Sequence, residues 1–325
     1  MCEKSDGLRY LLYLTEDENG GEVHYLIDRK NDYWFVSAGN LHFPTPGSEQ
    51  DFHKATLLDG ELVLDDLGGG RTEARYLVFD CLVMDGQVLM SREFSKRLGY
   101  FQEQIFRPYK DLLRRYPQEV AFQPFLVEMK NMQVAYGIQM MFEDVIKNLR
   151  HGNDGLIFTC LKSEYKAGTD PHILKWKEAD ENTIDFMWKL RWPQVEPTPG
   201  GGGGGEPYTD YDAVPQVELL ANHGGGSGPD AGYQYYAPLH LEEHEWDVLR
   251  ALGDPLDERI VEAYMDDQKR WRLSRFRDDK TDGNHISVVN SVIESIRDGV
   301  SKAELLAAAK GIRDNWKARE QARKR

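Results

Sequence analysis

The four residues Lys4-Ser5-Asp6-Gly7, with Arg9 shortly after them, constrain the fold of this chain more than any other stretch of the sequence. They place an amine beside a carboxylate and ahead of a tight turn, and the apolar run that begins at Tyr10 is typical of a strand. Asp-Gly is a common turn pair, so this stretch alone is also compatible with an ordinary surface turn. Later clusters in the chain bear on that choice.

A lysine amine at such a turn is a candidate nucleophile. It attacks phosphorus only when neutral, so the site must lower the pKa of the amine through nearby cations, a metal ion or desolvation. Lys175 and Lys177 are candidates for those cations, because alternate positions of a strand would direct both ammonium groups to one face. Attack by Lys4 on an α-phosphate would leave a phosphoramide and expel pyrophosphate.

Composition limits the class of protein. With 325 residues, of which 40% are hydrophobic and 11% aromatic, the chain can bury a substantial core, and its length suggests two domains. The net charge of −15 argues against broad electrostatic binding of nucleic acid, so any RNA contact must be local. The three cysteines form no Cys-x-x-Cys pair, and Cys81 and Cys160 lie in apolar strand-like runs that predict core positions.

Apolar periodicity predicts an α+β fold. Residues recurring three or four positions apart predict one helix between Ser91 and Pro117 and a second from Asn131 to Arg150. Strands are predicted at residues 10–14, 23–27, 33–36, 61–64, 75–84, 155–160, 172–177, 183–192, 217–220 and 271–276, and further helices near 241–252 and 286–297.

Shifts in composition suggest three regions: a first domain at 1–178, a second at 179–299, and a C-terminal helix with a basic tail at 300–325. The short strands of the second domain suit a small five-stranded barrel. Two stretches at 193–207 and 223–229, the first with six successive glycines, are predicted to be loop insertions in it.

Five more clusters follow the first in order along the chain: Leu57–Glu61, Tyr76–Asp80, Asp154–Phe158, Leu174–Lys177 and Arg277–Lys280. Together the six resemble the collinear motifs of covalent nucleotidyltransferases. They are most similar to the mRNA guanylyltransferases, the GTP:RNA capping enzymes, especially the fungal alpha subunits. The resemblance implies an ATP-grasp-like nucleotidyltransferase domain of antiparallel sheets with flanking helices, followed by an OB-fold β-barrel.

The first cluster would supply the nucleophile. The resemblance implies that Lys4 forms a lysine-GMP adduct and that Asp6 and Gly7 shape the turn that presents it. Arg9 lies two strand positions past Gly7, so it would share that face and reach a phosphate or the ribose.

The next clusters would bind the nucleoside of GTP. By resemblance, Arg29 contacts the ribose, and Glu61 contacts the ribose or a metal ion. Phe79 would stack beneath the guanine, which gives affinity without selecting the base. Lys130 resembles the lysine that meets the guanine O6, where adenine presents a donor instead; the alternative is a lysine at the start of a helix.

The remaining clusters would handle phosphates. The resemblance implies that Asp154 acts near the α-phosphate through Mg²⁺ or Mn²⁺, and that Lys175 and Lys177 neutralise charge there. Asp185 matches a Thr-Ile-Asp-Phe element at the start of the second domain.

Arg277, Asp279, Lys280 and Asn284 match an Arg-x-Asp-Lys-x-x-x-Asn element of the second domain. It would act on the β- and γ-phosphates only when the domains close. A charged turn is the alternative.

Family members carry a helix and a strand before the nucleophile, whereas three residues precede Lys4, so we expect an N-terminally truncated member. No cysteine phosphatase loop is present, so a separate RNA 5′-triphosphatase subunit is implied. The resemblance further implies 5′-diphosphate RNA as acceptor, the phosphorylated tail of RNA polymerase II as partner and the nucleus as location. An ATP-dependent polynucleotide ligase and a non-catalytic nucleotide-binding scaffold remain as alternatives.

Overall fold

The computed structural model describes residues 1–36, 41–178, 181–196, 207–225 and 232–323. The chain forms two compact units, residues 1–176 together with 302–325, and residues 177–301. The domain boundaries at 178 and 299 stay a prediction. Most of the two predicted Gly-rich insertions, including the glycine run at 200–205, lies outside the described residues. Within those residues, no helix combines the length and the hydropathy that a membrane crossing requires.

A large mixed sheet is the scaffold of the first unit. Its strands are β2 (Leu8–Glu16), β3 (Glu22–Ile27), β4 (Tyr33–Phe35), β5 (Thr56–Gly68), β6 (Arg71–Met84), β7 (Gln87–Val88) and β8 (Leu126–Met129). Among the described residues the order is β4-β3-β2-β5-β6-β7, with β8 parallel to β6. β2 and β3 form the antiparallel hairpin that the acidic turn between them predicts.

Helical turns cover one face of this sheet. They run from α1 (Phe94–Tyr100) through a π-helical turn (Phe101–Phe106) to α2 (Arg107–Arg115), and a 3₁₀ turn follows at Pro117–Phe122. The predicted helical stripe is confirmed, because Phe101, Ile105 and Tyr109 are buried in the same core as the sheet. Burial of each such side chain contributes roughly 1.5–3 kcal/mol.

A second sheet of the first unit contains the chain's start. It consists of β1 (Cys2–Ser5), β9 (Asn153–Thr159) and β10 (Ile173–Trp176), with β9 in the middle and both neighbours antiparallel to it. Two helices pack on this part of the unit, α3 (Ile138–Met140), which continues as π and 3₁₀ turns to Asn148, and α6 (Lys302–Arg323).

The predicted helix from Asn131 to Arg150 is wrong in its first third. The helix begins at Ile138, because the preceding segment makes backbone bonds to the start of the chain. The Gln133 N–H donates to the Met1 carbonyl at 2.7 Å, and the Met1 ammonium donates to the Gln133 carbonyl at 2.5 Å. These bonds replace the i to i−4 pattern of a helix.

The second unit is a closed barrel of five strands. They are β11 (Thr183–Arg191), β14 (Gln216–Asn222), β15 (Tyr233–Leu239), β16 (Ile260–Met265) and β17 (Trp271–Phe276), in the order β11-β14-β15-β17-β16. A short ribbon of β12 (Gln194–Val195) and β13 (Tyr208–Thr209) and the helices α4 (Glu243–Ala251) and α5 (Ile286–Arg297) complete its described part. The predicted α+β class with a second-domain barrel is confirmed.

Two barrel strands were missed by the sequence analysis. β15 contains Pro238, and proline lowers the strand signal because it cannot donate to the ladder. β16 buries the consecutive residues Ile260 and Val261 as well as Ala263, so it lacks the strict alternation that indicates a half-buried strand. The five-stranded barrel was inferred from three strands, so its closure rests on two that periodicity did not find.

The predicted core position of Cys160 is wrong, whereas that of Cys81 is confirmed. Cys160 is exposed because β9 ends one residue earlier, and its carbonyl accepts from the Ser163 N–H at 3.1 Å in a turn. Burial raises the pKa of Cys81 to about 12.

Glu22, at the start of β3, should make the chain sensitive to acid. Its carboxylate accepts from the His24 ring and the Phe43 N–H, each at 3.0 Å, and from the His42 ring. Burial alone would raise the pKa of Glu22, but these bonds outweigh it and lower the pKa to about 2. The folded pKa is therefore below the unfolded value of about 4.3. The hydrogen bonds of the Glu22 carboxylate stabilise the fold fully above the unfolded pKa, and this stabilisation is lost as the pH falls towards 2.

We expect Glu22→Gln to remove this pH dependence. In urea unfolding, the difference in free energy of unfolding between the unsubstituted chain and the variant should shrink by about 3 kcal/mol from pH ~5 to pH ~2. A difference that stays constant over this range would contradict the assignment.

Candidate active site

A pocket of about 520 Å³ lies in the first unit and collects most of the residues that the sequence analysis singled out there. The predicted residues that line it are Lys4, Arg9, Arg29, Glu61, Phe79, Lys130 and Lys175. They come from both sheets of the unit, so residues far apart in sequence face one volume.

Lys4 forms an ion pair with Asp154 in this part of the molecule. The Lys4 Nζ lies 2.5 Å from Oδ1 and 2.7 Å from Oδ2 of Asp154, and the lysine side chain is 22% exposed. β1 and β9 are antiparallel neighbours with an irregular register between Glu3 and Ser5, and this arrangement brings the two side chains together. The predicted surroundings of the amine are cationic, but its direct partner is a carboxylate.

Two glycines permit the close backbone approach around the first cluster. A Cβ on Gly7 would lie 2.7 Å from the Leu62 carbonyl, so only glycine lets the turn after β1 pass β5 at this distance. A Cβ on Gly60 would lie 2.5 Å from the buried Tyr76 ring. Asp6 continues the turn, with its N–H bonded to the Gly152 carbonyl at 2.9 Å.

Glu61 and Lys130 are joined through Ser5. The buried Lys130 ammonium donates to Ser5 Oγ at 2.6 Å and to Glu61 Oε2 at 3.1 Å, and the Ser5 hydroxyl donates to the same carboxylate oxygen. Lys130 follows β8 directly, and its N–H bonds to the Val78 carbonyl at 2.8 Å. The alternative of a lysine at the start of a helix is therefore wrong, since the next helix begins at Ile138.

Arg9 is held in place by two residues that sequence reasoning missed. Its guanidinium donates to both carboxylate oxygens of Asp59, at 2.9 and 2.6 Å, and to the Tyr165 hydroxyl at 3.1 Å. Tyr165 in turn donates to Asp59 at 2.9 Å. Burial raises the pKa of Tyr165, and the Asp59 carboxylate adds to this, so the hydroxyl stays protonated.

Asp59 had a signal in the sequence, whereas Tyr165 had none. Asp59 precedes Glu61 by two residues in β5, so the period of a strand places both on one face. Tyr165 belongs to the loop between β9 and β10, where no periodicity exists.

Two cations lie close to the Phe79 ring. The Arg9 guanidinium and the Lys130 ammonium each lie 5.9 Å from the centre of its ring. This spacing is within the range of cation–π attraction. An aromatic ring with two cations close to it can receive a flat, electron-rich group such as a nucleobase.

A buried ion pair also lines the pocket. Arg97 donates to both oxygens of Asp80 at 2.7 and 2.8 Å, and these side chains are 2% and 7% exposed. Arg97 also donates to the Ser163 carbonyl at 3.0 Å, so it ties α1 to the loop that carries Tyr165.

Arg29 reaches the pocket from the turn after β3. Asp28, its neighbour in sequence, organises that turn by accepting from the N–H groups of Lys30 and Asp32 at 2.8 and 3.0 Å. Asp28 and Arg29 thus have different roles, since Arg29 lines the pocket while Asp28 is bonded within the turn.

The other predicted residues belong to the second unit and cluster there. Asp185 accepts from Arg277 at 2.9 Å and from the Lys280 ammonium, and Asp279 accepts twice from Arg277, each time at 2.9 Å. These bonds lower the pKa of Asp279 to about 2. The predicted element therefore forms one ionic cluster on β11 and the loop after β17. Lys177 is the first residue of this unit, and its role stays a prediction.

Metal ligands are few in the pocket. Within the described residues, no group of three or more His, Cys, Asp or Glu side chains is arranged to hold a metal ion. Asp154 and Glu61 each contact a lysine instead. Mg²⁺ usually binds through one or two carboxylates, substrate phosphates and several waters, so these two residues fit a metal that arrives with a nucleotide.

Comparison with known proteins identifies the family. The family described as "mRNA capping enzyme, catalytic domain" matches residues 1–179, and "mRNA capping enzyme, C-terminal domain" matches residues 181–306. The chain belongs to the mRNA capping enzyme family. This confirms the predicted family and the predicted enzyme class, a nucleotidyltransferase of the mRNA guanylyltransferase kind.

Individual relatives of this capping-enzyme chain cover nearly all of it. It is 54% identical to the mRNA-capping enzyme subunit alpha of Neurospora crassa, over 100% of this chain and 82% of that protein. It is 47% identical to the subunit of the same name from Schizosaccharomyces pombe, over 97% and 76% of the two chains. A solved structure of mycobacterial DNA ligase D with ATP has a TM-score of 0.40 and 18% identity, covering 86% of this chain and 88% of that one.

Proposed function

We propose that this chain transfers GMP from GTP, through a covalent bond to Lys4, to the 5′-diphosphate end of nascent mRNA. The observation that carries the proposal is the Lys4–Asp154 pair at 2.5 Å, in the unit whose pocket also contains Phe79, Glu61 and Lys130. An amine, a carboxylate next to it and a nucleoside-binding surface are the parts that a covalent nucleotidyl transfer needs.

In the first step, the Lys4 Nζ passes a proton to the Asp154 carboxylate and attacks the α-phosphorus of GTP. The N–P bond forms, the bond to the β-phosphate bridging oxygen breaks, and pyrophosphate leaves.

The nucleoside is held by the side chains around the pocket. Phe79 stacks on the guanine. Lys130 donates from its ammonium to the guanine O6, whereas adenine has a donor at this position and would be a mismatch for the ammonium. Glu61 accepts from the ribose hydroxyls, while Arg9 and Arg29 bind a phosphate or the sugar. Arg9 is pre-organised for this, because Asp59 and Tyr165 fix its guanidinium.

Cationic residues would bind the phosphates. Lys175 and Lys177 offset charge on the α-phosphate, and the cluster of Asp185, Arg277, Asp279 and Lys280 binds the β- and γ-phosphates. Mg²⁺ held by Asp154, with Glu61, would neutralise further phosphate charge when bound.

In the second step, a terminal oxygen of the RNA 5′-diphosphate attacks the phosphorus on Lys4. The P–N bond breaks, the P–O bond of the cap forms, and the lysine takes back a proton. This acceptor requires a separate RNA 5′-triphosphatase to remove the first phosphate. We also propose that the chain acts in the nucleus and binds the phosphorylated tail of RNA polymerase II.

Labelling with α-³²P nucleotides tests this function. With Mg²⁺ present, we expect denaturing gels to show a labelled band for GTP roughly 5- to 150-fold stronger than for ATP, since one mismatched base contact costs about 1–3 kcal/mol. A stronger band with ATP would instead support a polynucleotide ligase. Absence of label with either nucleotide would support a non-catalytic scaffold.

A further inference from the structure

An apolar groove lies on the large sheet of the first unit. Tyr13, Ile27, Tyr33, Leu57 and Val83 line this groove, which has a volume of about 310 Å³. It is open to solvent at Tyr33, whose side chain is 63% exposed on the edge strand β4. The proposed transfer mechanism uses none of these residues.

The groove and the nucleotide pocket share one face of the sheet. On β5, Leu57 lines the groove and Asp59 lines the pocket, and side chains two apart on a strand point the same way. On β2, Tyr13 lines the groove and Arg9, four residues before it, lines the pocket. The groove therefore continues the pocket across the same surface.

Aromatic rings form the outer end of this surface. The Tyr25 ring lies 6.2 Å from that of Tyr33 and 5.6 Å from that of Phe35, so all three share the face of the groove. Phe35 is exposed as well. Trp34 lies between them in sequence and points to the opposite face, where its indole N–H bonds to Asp28 at 3.3 Å.

We propose that the apolar groove binds the first nucleobases of the acceptor RNA, an inference that rests on the proposed function. The acceptor must bring its 5′ end into the pocket, so its next nucleotides lie on the adjoining surface. Base stacking on aromatic rings tolerates any sequence, as a general acceptor site must.

Charge favours RNA over a protein partner at this place. Arg29 lines the pocket and follows the groove residue Ile27 by two positions in the chain, so a cation is available near the groove to meet a phosphodiester of the RNA. With a net charge of −15, the chain has no broad attraction for RNA, and local stacking supplies affinity that charge does not.

Steady-state transfer with the full chain tests the proposal. We expect Tyr33→Ala to raise KM for a 5′-diphosphate RNA roughly 5- to 150-fold, the effect of losing one base–aromatic stack. Adduct formation from GTP should be unchanged, and so should the reverse reaction, in which pyrophosphate takes the GMP from Lys4 and reforms GTP, because neither reaction involves the acceptor RNA. Trp34→Ala is the matched control, equally exposed but on the other face, and should leave all three unchanged.

Photocrosslinking provides a measurement that needs no adduct. An RNA with 4-thiouridine at its first position should crosslink to a peptide that contains Tyr33 or Tyr13. Equal KM values for both variants and the unsubstituted chain, or a crosslink confined to other peptides, would overturn the groove as the RNA site. Failure to form an adduct at all would count against the proposed function and would leave the crosslink as the deciding result.

Discussion

Replacing Lys4 with arginine is expected to abolish the covalent GMP adduct, with labelling below about one thousandth of that of the unsubstituted chain. Arginine keeps the positive charge and can still pair with Asp154, but the pKa of its guanidinium is well above that of a lysine amine, so it does not become a neutral nucleophile. Binding of GTP should survive, because Phe79 and Lys130 are untouched. The measurement is the label retained on a denaturing gel after incubation with α-³²P GTP.

Lys110→Arg is the matched control for this result. Lys110 also lies in the first unit and pairs with a carboxylate, Glu128, at 2.9 Å, but it does not line the pocket. Its replacement should leave the labelling unchanged. Label that persisted in Lys4→Arg would assign the nucleophile to another lysine, with Lys130 and Lys175 in the pocket as the first to examine.

Replacing Arg97 with methionine is expected to lower the free energy of unfolding by about 3–5 kcal/mol, because it leaves the Asp80 carboxylate buried without its partner. Burial already raises the pKa of Asp80, and the two Arg97 bonds oppose that rise. The same change removes the bond to the Ser163 carbonyl, which fixes the loop that carries Tyr165. Urea unfolding of the variant measures the loss.

The double variant Asp80→Leu/Arg97→Met separates the buried charge from the packing. Because both partners are replaced by apolar groups, its free energy of unfolding should lie within about 2 kcal/mol of the unsubstituted chain. A single variant as stable as the unsubstituted chain, or a double variant less stable than the single one, would contradict this role of the pair.

The sequence predicted the parts of the site that local patterns carry. The Lys-x-Asp-Gly stretch and the Leu-Leu-Asp-Gly-Glu run predict glycines where other parts of the chain approach closely. In the structure, neighbouring atoms leave no room for a Cβ at Gly7 or at Gly60. Strand periodicity placed Arg9 on the face of the pocket. Residues that act through their backbone conformation or their spacing along a strand can therefore be predicted from the sequence.

Long-range pairing was not predictable in the same way. The resemblance assigned Asp154 to a metal near the phosphate, but no local pattern indicated that it would contact Lys4, because β1 and β9 are about 150 residues apart in sequence. The segment 131–137 has apolar residues at helical spacing, yet its backbone bonds go to Met1. Tyr165 contacts Arg9 from a loop, where sequence patterns carry no positional information.

Mapping the GMP-modified peptide by mass spectrometry tests the central claim most directly. The chain would be incubated with GTP and Mg²⁺, digested under conditions that preserve the phosphoramide bond, and fragmented. We predict GMP on the peptide that contains Lys4, with the bond at the Lys4 Nζ. GMP attached to any other residue of the chain, with Lys4 unmodified, would contradict the account.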